Sequence, residues 1–151
     1  MAWVLLKVVV VMKLKHFKVS EFRGFWLHLS VGLLLSLDKL RGLIDVPITI
    51  SPAEGAILRV GEGTSQHFYG RAIDVLIPAS VDPAFIFSKA KEAGFSGVGY
   101  YPETASASRG YRRWHFDVRP GVGSDNPATW GELAGKTVSL SDAMSAYPGV
   151  A

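Results

Sequence analysis

Apolar residues recur at helical spacing between Leu27 and Leu43: Leu29, Leu33, Leu37 and Leu40 share one face, with Asp38, Lys39 and Arg41 on the remainder. The spacing predicts an amphipathic helix ending at Gly42 or shortly after, although Gly32 inside it is a poor helix former. Val46 to Ile50 (VPITI) reads as a short strand. Ser51-Pro52-Ala53-Glu54 matches a capping box with proline at the first helical position, so a brief helical turn is expected, limited by Gly55. Gly61 to Gly70 is rich in Gly, Ser and Thr and reads as loop. Ala72 to Ile77 (AIDVLI) is apolar except for Asp74, the pattern of a strand buried on both faces. Asp82-Pro83 starts a helix that runs to about Ala93, with Gly94 as its C-terminal cap. Val98–Tyr101 and Trp114–Val118 read as strands separated by a polar loop, Glu103 to Gly110. Asn126-Pro127-Ala128-Thr129-Trp130 is expected to cap a short helix before a weakly specified end. Helices and strands mix without a βαβ rhythm, which predicts an α+β fold with a small antiparallel sheet flanked by helices.

Two apolar runs need separate treatment. Met1 to Met12 is interrupted by Lys7 and followed by no small-residue cleavage site, so it is a weak secretory signal. Met12 opens an alternative start, MKLKHFKVSEF. On that reading residues 1–11 are an upstream extension without structural role, and residues 12–151 form the single domain. Phe25 to Leu37 is shorter than the roughly 20 residues that cross a bilayer core of ~30 Å. No membrane span is expected, and no internal repeat or low-complexity linker divides the chain.

A length of 151 residues suits one domain, and 48% apolar with 19% charged residues places the chain among globular proteins. Absence of cysteine excludes disulfides and thiolate metal sites, so any metal must be held by His, Asp or Glu. The net charge of +3 is concentrated between Lys7 and Arg41 and in Arg109, Arg112, Arg113 and Arg119. Such charge suits an acidic partner, nucleic acid or bacterial cell wall alike, or simply forms a solvated face. No nucleic-acid motif accompanies it, so nucleic acid is set aside as a partner.

The chemistry concentrates in Ser65–Asp74 (SQHFYGRAID), Gly97–Pro102 (GVGYYP) and Trp114–Arg119 (WHFDVR). A carboxylate inside an apolar strand is costly unless a cation compensates it, and Asp74 is such a residue. His67 precedes it by seven positions across a glycine-containing turn. Strand alternation puts His115 and Asp117 on one face. Two imidazoles and one carboxylate make a three-ligand metal site with an open position, as catalytic zinc requires; equally, a histidine in an apolar strand can be a satisfied core residue.

Ser65-x-His67-x-x-Gly70-x-Ala72-x-Asp74 resembles the S-x-H-x-x-G-x-A-x-D signature of the M15 family of zinc peptidases, the D-alanyl-D-alanine carboxypeptidase group, at every fixed position. Gly97–Pro102 and His115-x-Asp117-Val118-Arg119 are similar to the second half of that pattern, especially in its phage-encoded members. Trp114-His115-Phe116 is similar to the segment around the last zinc ligand of D,D-carboxypeptidases, and Pro47–Ala53 to the strand and loop before the first histidine. The likeness covers roughly residues 12 to 135 and is strongest over 65 to 119. It implies a hedgehog-like or D,D-peptidase fold, a Zn2+ ion on His67, Asp74 and His115, and hydrolysis of peptidoglycan stem peptides at a D-Ala-D-Ala or L-Ala-D-Glu type bond by a monomer.

The pattern departs where relatives place an acidic general base three residues before the last histidine; here that position is Arg112, which cannot accept a proton. Asp117 is then either a base or a partner that orients a ligand, and Glu103 on its loop is a second candidate base. Otherwise the domain is a silent, zinc-stabilised module that binds wall peptide. Arg59 matches an arginine that grips the substrate carboxylate, or is a surface residue. Ser65 either meets substrate or caps its loop, and Arg71 either holds Asp74 or is solvated. Of Tyr100 and Tyr101, one is expected in the core and one in the cleft. His16 and His28 read as structural.

Overall fold

Side-chain alternation along three central strands gives the sheet one apolar and one polar face. In β2 (Ala72–Pro78), Ile73, Val75 and Ile77 enter the core. In β3 (Gly97–Tyr101) Val98 and Tyr100 do so, and in β4 (Tyr111–Asp117) Trp114 and Phe116. Asp74, His115 and Asp117 occupy the alternate positions and therefore share the opposite face. The computed structural model describes residues 1–11 and 13–150; Met12, the expected alternative start, lies outside them.

Among the described residues the sheet has six strands in the order β1-β2-β4-β3-β5-β6, completed by β1 (Thr49–Ile50), β5 (Ala128–Leu133) and β6 (Lys136–Val138). Every neighbouring pair is antiparallel except β3 and β5, which run parallel. Around it stand α1 (Ala2–Val11), α2 (Val31–Ile44), α3 (Pro83–Ala93) and α4 (Leu140–Ala146). The apolar sheet face is covered by Leu33, Leu34, Leu37 and Leu40 of α2, Ile86 and Ala90 of α3, and Leu140 and Ala143 of α4. The architecture is α+β with an open, mostly antiparallel sheet. No helix among the described residues is long and apolar enough to cross a membrane.

The helix ends follow local chemistry. Ser30 Oγ accepts from Leu33 N at 3.2 Å to start α2, and Asp82 accepts from Ala84 N at 3.0 Å ahead of Pro83 to start α3. Gly94, at φ 101°, closes α3 where the sequence places its cap. α2 starts later than the apolar spacing suggests and ends, as expected, shortly after Gly42. It begins at Val31, after a separate 3-10 turn at Trp26–His28, and passes Gly42 to end at Ile44, with Asp45 in the left-handed cap position. His16 packs on Gly42: a Cβ there would lie 2.5 Å from the imidazole Nε2, so the exposed ring would have to move aside. Asp38, buried in α2, accepts from the backbone N–H groups of Lys15, His16 and Phe17 at 3.1, 2.8 and 3.0 Å, fastening the preceding segment.

Three expectations are trimmed or corrected. Ser51 Oγ does act as a cap, accepting from Ala53 N, but only a single turn follows, closed by Ala56 N on Ala53 O at 3.2 Å, because Gly55 takes a positive φ of 76° and no helix continues. The strand expected over 46–50 reduces to Thr49–Ile50. Asn126–Trp130 does not cap a helix: it leads into β5, which turns through Ala134 and Gly135 (φ 51° and 72°) into β6, and the helix comes only at Leu140. Two successive residues at positive φ make a two-residue hairpin turn that matches strand twist.

Candidate metal centre

Three local arrangements bring the polar residues together. β2 and β4 pair so that Asp74 stands directly opposite His115. His67 lies in a 3-10 turn, Gln66–Tyr69, whose start is capped by Ser65 Oγ accepting from His67 N at 3.4 Å. Gly70, at φ 65°, then reverses the chain into β2, and a Cβ there would collide with the His28 carbonyl. Arg59 N donates to His67 O and Asp74 N to Ala56 O, tying loop and strand to one frame.

His67 Nε2, Asp74 Oδ1 and His115 Nδ1 form a nearly equilateral triangle with sides of 3.1, 3.1 and 3.2 Å. All three residues are buried, and the group could hold a metal ion. A tetrahedral site with bonds of about 2.0–2.1 Å sets its ligand atoms about 3.3 Å apart, close to the spacing seen. Protons cannot satisfy all three sides. With one proton in the triangle, one side is a contact between two acceptors; with a proton on each nitrogen, the N–N side sets donor against donor. A cation at the centre satisfies every side at once.

The far side of His115 supports that reading. Its Nε2 lies 2.9 Å from Asp117 Oδ2, and Arg119 grips Asp117 with Nε at 2.8 Å from Oδ1 and Nη2 at 2.6 Å from Oδ2. An N–H on Nε2 leaves the Nδ1 lone pair aimed at the triangle, the support that histidine ligands ordinarily receive. Gly97 makes room for this pair, since a Cβ there would sit 2.3 Å from the Asp117 carboxylate. His67 Nδ1 is buried with no hydrogen-bond partner among the described residues.

Electrostatics follow the same contacts. Burial raises the pKa of Asp74, but hydrogen bonds and attraction from His115 and His67 outweigh it and hold the carboxyl well below its ordinary range. Burial likewise raises the pKa of Asp117, but hydrogen bonds and attraction from Arg119 and His115 outweigh it and hold this carboxyl below its ordinary range as well. His115 is lowered by burial yet raised overall by Asp117 and Asp74. The cluster thus holds two ionised carboxylates, and one of them faces the triangle.

The triangle opens into a cleft of about 250 Å³ lined also by Arg59, Ser65, Tyr101, Arg113, Arg119 and Trp130. Arg113 stacks on the Tyr101 ring at 4.3 Å, and Trp130 Nε1 donates to Tyr101 OH at 2.6 Å. Trp130 fits there because Gly99 beneath it has no Cβ; one would lie 2.6 Å from the indole. Asp74 is the only carboxylate lining the cleft among the described residues.

His67, Asp74 and His115 meet, with Ser65, Tyr101 and Arg59 at the cleft wall, and Ser65 also acts as the turn's cap. Tyr100 is buried and donates to Tyr147 O at 2.9 Å. Asp117 stands behind His115, away from the cleft. Glu103 is outside the cleft as well, accepting from Ala134 N at 2.6 Å and Tyr147 OH at 2.8 Å. Arg71 lies over Tyr69 rather than on Asp74. Arg112 belongs to the other sheet face, 5.3 Å over the Tyr147 ring, because it is an odd number of strand positions from His115. The cleft-facing residue is Arg113. Sequence reasoning gave Arg113, Arg119 and Trp130 no role; counting back by two from His115 would have found the first, whereas Trp130 was hidden in a segment read as a helix cap.

Comparison of the chain with protein-family models, with curated proteins and with solved structures found no match.

Proposed function

We propose that this chain is a zinc-dependent peptidase of the D-alanyl-D-alanine carboxypeptidase group, with a hedgehog-like fold, that hydrolyses peptidoglycan stem peptides for a bacteriophage. The observation that carries the reading is the triangle of His67 Nε2, Asp74 Oδ1 and His115 Nδ1, set in the S-x-H-x-x-G-x-A-x-D sequence. When bound there, zinc supplies Lewis acidity toward a peptide carbonyl and toward water. The chain's own residues bind and orient. Arg59 and Arg113 offer guanidinium groups to the carboxylates of a stem peptide, and arginine's planar fork suits that pairing. Tyr101, fixed by Trp130, walls the cleft beside them. Asp117 and Arg119 hold His115 in the tautomer that presents Nδ1.

A second reading, a zinc-stabilised module that binds wall peptide without turnover, is favoured by one observation: the cleft lining holds no carboxylate beyond the ligand Asp74 among the described residues. One experiment separates the two. Zinc-loaded wild type and His67→Ala are incubated with purified peptidoglycan, and soluble fragments are identified by mass spectrometry. Peptide release by the wild type alone supports the peptidase. Stoichiometric zinc and wall binding without released fragments transfers the assignment to the silent module.

A further inference from the structure

α1 has a composition and placement that the metal centre does not use. Its sequence, AWVLLKVVVV, is apolar on every side except at Lys7, yet it lies outside the core. Trp3 is 75% exposed and Leu5 64%, with Val4, Leu6, Val8 and Val9 also exposed; Val10 alone is buried among the apolar residues described in full. Lys7 turns its ammonium to the carbonyl oxygen of Leu27, a residue that is itself exposed, as is Phe25 two residues before it. A helix that leaves six apolar side chains exposed marks an interaction site.

The charge beside it identifies the partner. Lys13, Lys15 and Lys18 follow α1 and are exposed, and Arg23 adds a fourth cation. Within residues 1–24 the only acidic side chain is Glu21, which is paired with Arg41 at 2.9 Å. Asp38, the nearby carboxylate of α2, is buried against backbone N–H groups. Asp45 is exposed and shares a cavity with His16 and Arg41, so one exposed carboxylate stands against Lys13, Lys15, Lys18 and Arg23, and the balance is positive next to an apolar helix with an exposed tryptophan in its first turn. Ten residues of helix span ~15 Å, half of a ~30 Å hydrocarbon core, so α1 can enter one leaflet and not cross it. A second copy of the chain fits less well, because a two-fold contact through α1 would bring the two lysine groups together.

We propose that α1, with Lys13, Lys15 and Lys18, is an interfacial anchor that docks the domain on an anionic lipid bilayer. Apolar side chains enter the acyl boundary, Trp3 settles at the headgroup level, and the lysines meet anionic headgroups. The anchor is independent of the peptidase reading and stands or falls without it.

The test uses the full chain and two kinds of vesicle, phosphatidylcholine alone and phosphatidylcholine with phosphatidylglycerol in equal parts. Co-sedimentation is expected to show partitioning at least about tenfold stronger on the anionic vesicles, weakening as salt is raised. Tryptophan emission should shift to the blue on binding in the wild type and not in Trp3→Tyr. Leu5→Glu combined with Leu6→Glu should abolish binding while far-UV circular dichroism stays unchanged, since both positions are exposed. Lys13→Glu combined with Lys15→Glu should remove the preference for anionic lipid. Absence of partitioning by the wild type, equal affinity for both vesicles, or a dimer in solution that Leu5→Glu dissociates without any vesicle uptake would overturn the proposal.

Discussion

His115 Nε2 lies 2.9 Å from Asp117 Oδ2, while the opposite ring nitrogen lies 3.1 Å from Asp74 Oδ1. Asp117 follows His115 by two residues on β4, and the pairing of β2 with β4 sets Asp74 directly opposite, so a single imidazole is clamped between the two carboxylates. This clamp fixes which nitrogen faces the triangle.

Asp117→Asn removes the charge that holds the imidazole tautomer. Loss of such a partner lowers metal affinity by about 10–100-fold. Titration against a chromogenic chelator should show that loss, with residual activity recovered when zinc is in excess. If the variant keeps full zinc affinity but its turnover collapses, Asp117 acts on the reaction directly and the orienting role is wrong.

Arg113 faces the cleft and Arg112 does not. In Arg113→Ala, KM for an anionic stem peptide should rise roughly 10–100-fold, the range expected for one lost charged hydrogen-bonding group, with zinc content unchanged. An unaltered KM would remove Arg113 from substrate binding.

Arg112→Glu restores an acidic residue at the position where the resemblance expects a base. Because that side chain lies over Tyr147 on the helix-covered face, peptide release should not increase. A gain in rate on purified peptidoglycan would contradict the strand register described here.

Asp38→Ala deletes a buried acceptor of three backbone N–H groups. Stranded buried donors cost about 1–3 kcal/mol each, and the exposed ends of this segment recover part by meeting water. A net loss of about 2–4 kcal/mol corresponds to a drop in Tm of roughly 5–12 °C by calorimetry. Zinc affinity should persist, since α2 packs on the apolar face of the sheet and the triangle lies on the opposite face; a Tm within error of the wild type would show the contacts to be dispensable.

The features legible in the sequence are those that local chemistry decides. Asp82, Pro83 and Gly94 bound α3 because a cap, a fixed φ and a left-handed terminus act within a few residues. Asp74 stands out as a lone aspartate in an apolar strand, whereas His67 and His115 are named as ligands only through the S-x-H-x-x-G-x-A-x-D likeness and its second half. What was not legible depends on distant partners. β5 pairs in parallel with β3 across a gap in sequence, and Trp130 depends on the space above Gly99. Gly42 signals the nearby end of α2 correctly, but its contact with His16 depends on a distant segment. Likewise, spacing from His115 pointed to Arg112 until strand alternation assigned the cleft to its neighbour.

Metal content per chain, measured by inductively coupled plasma mass spectrometry after dialysis against trace zinc, tests the convergence of the three side chains most directly. One zinc per wild-type chain is expected, with near-complete loss in each of His67→Ala, Asp74→Ala and His115→Ala while circular dichroism retains a folded spectrum. A folded wild type that holds no metal, or three variants that all keep it, would contradict the account.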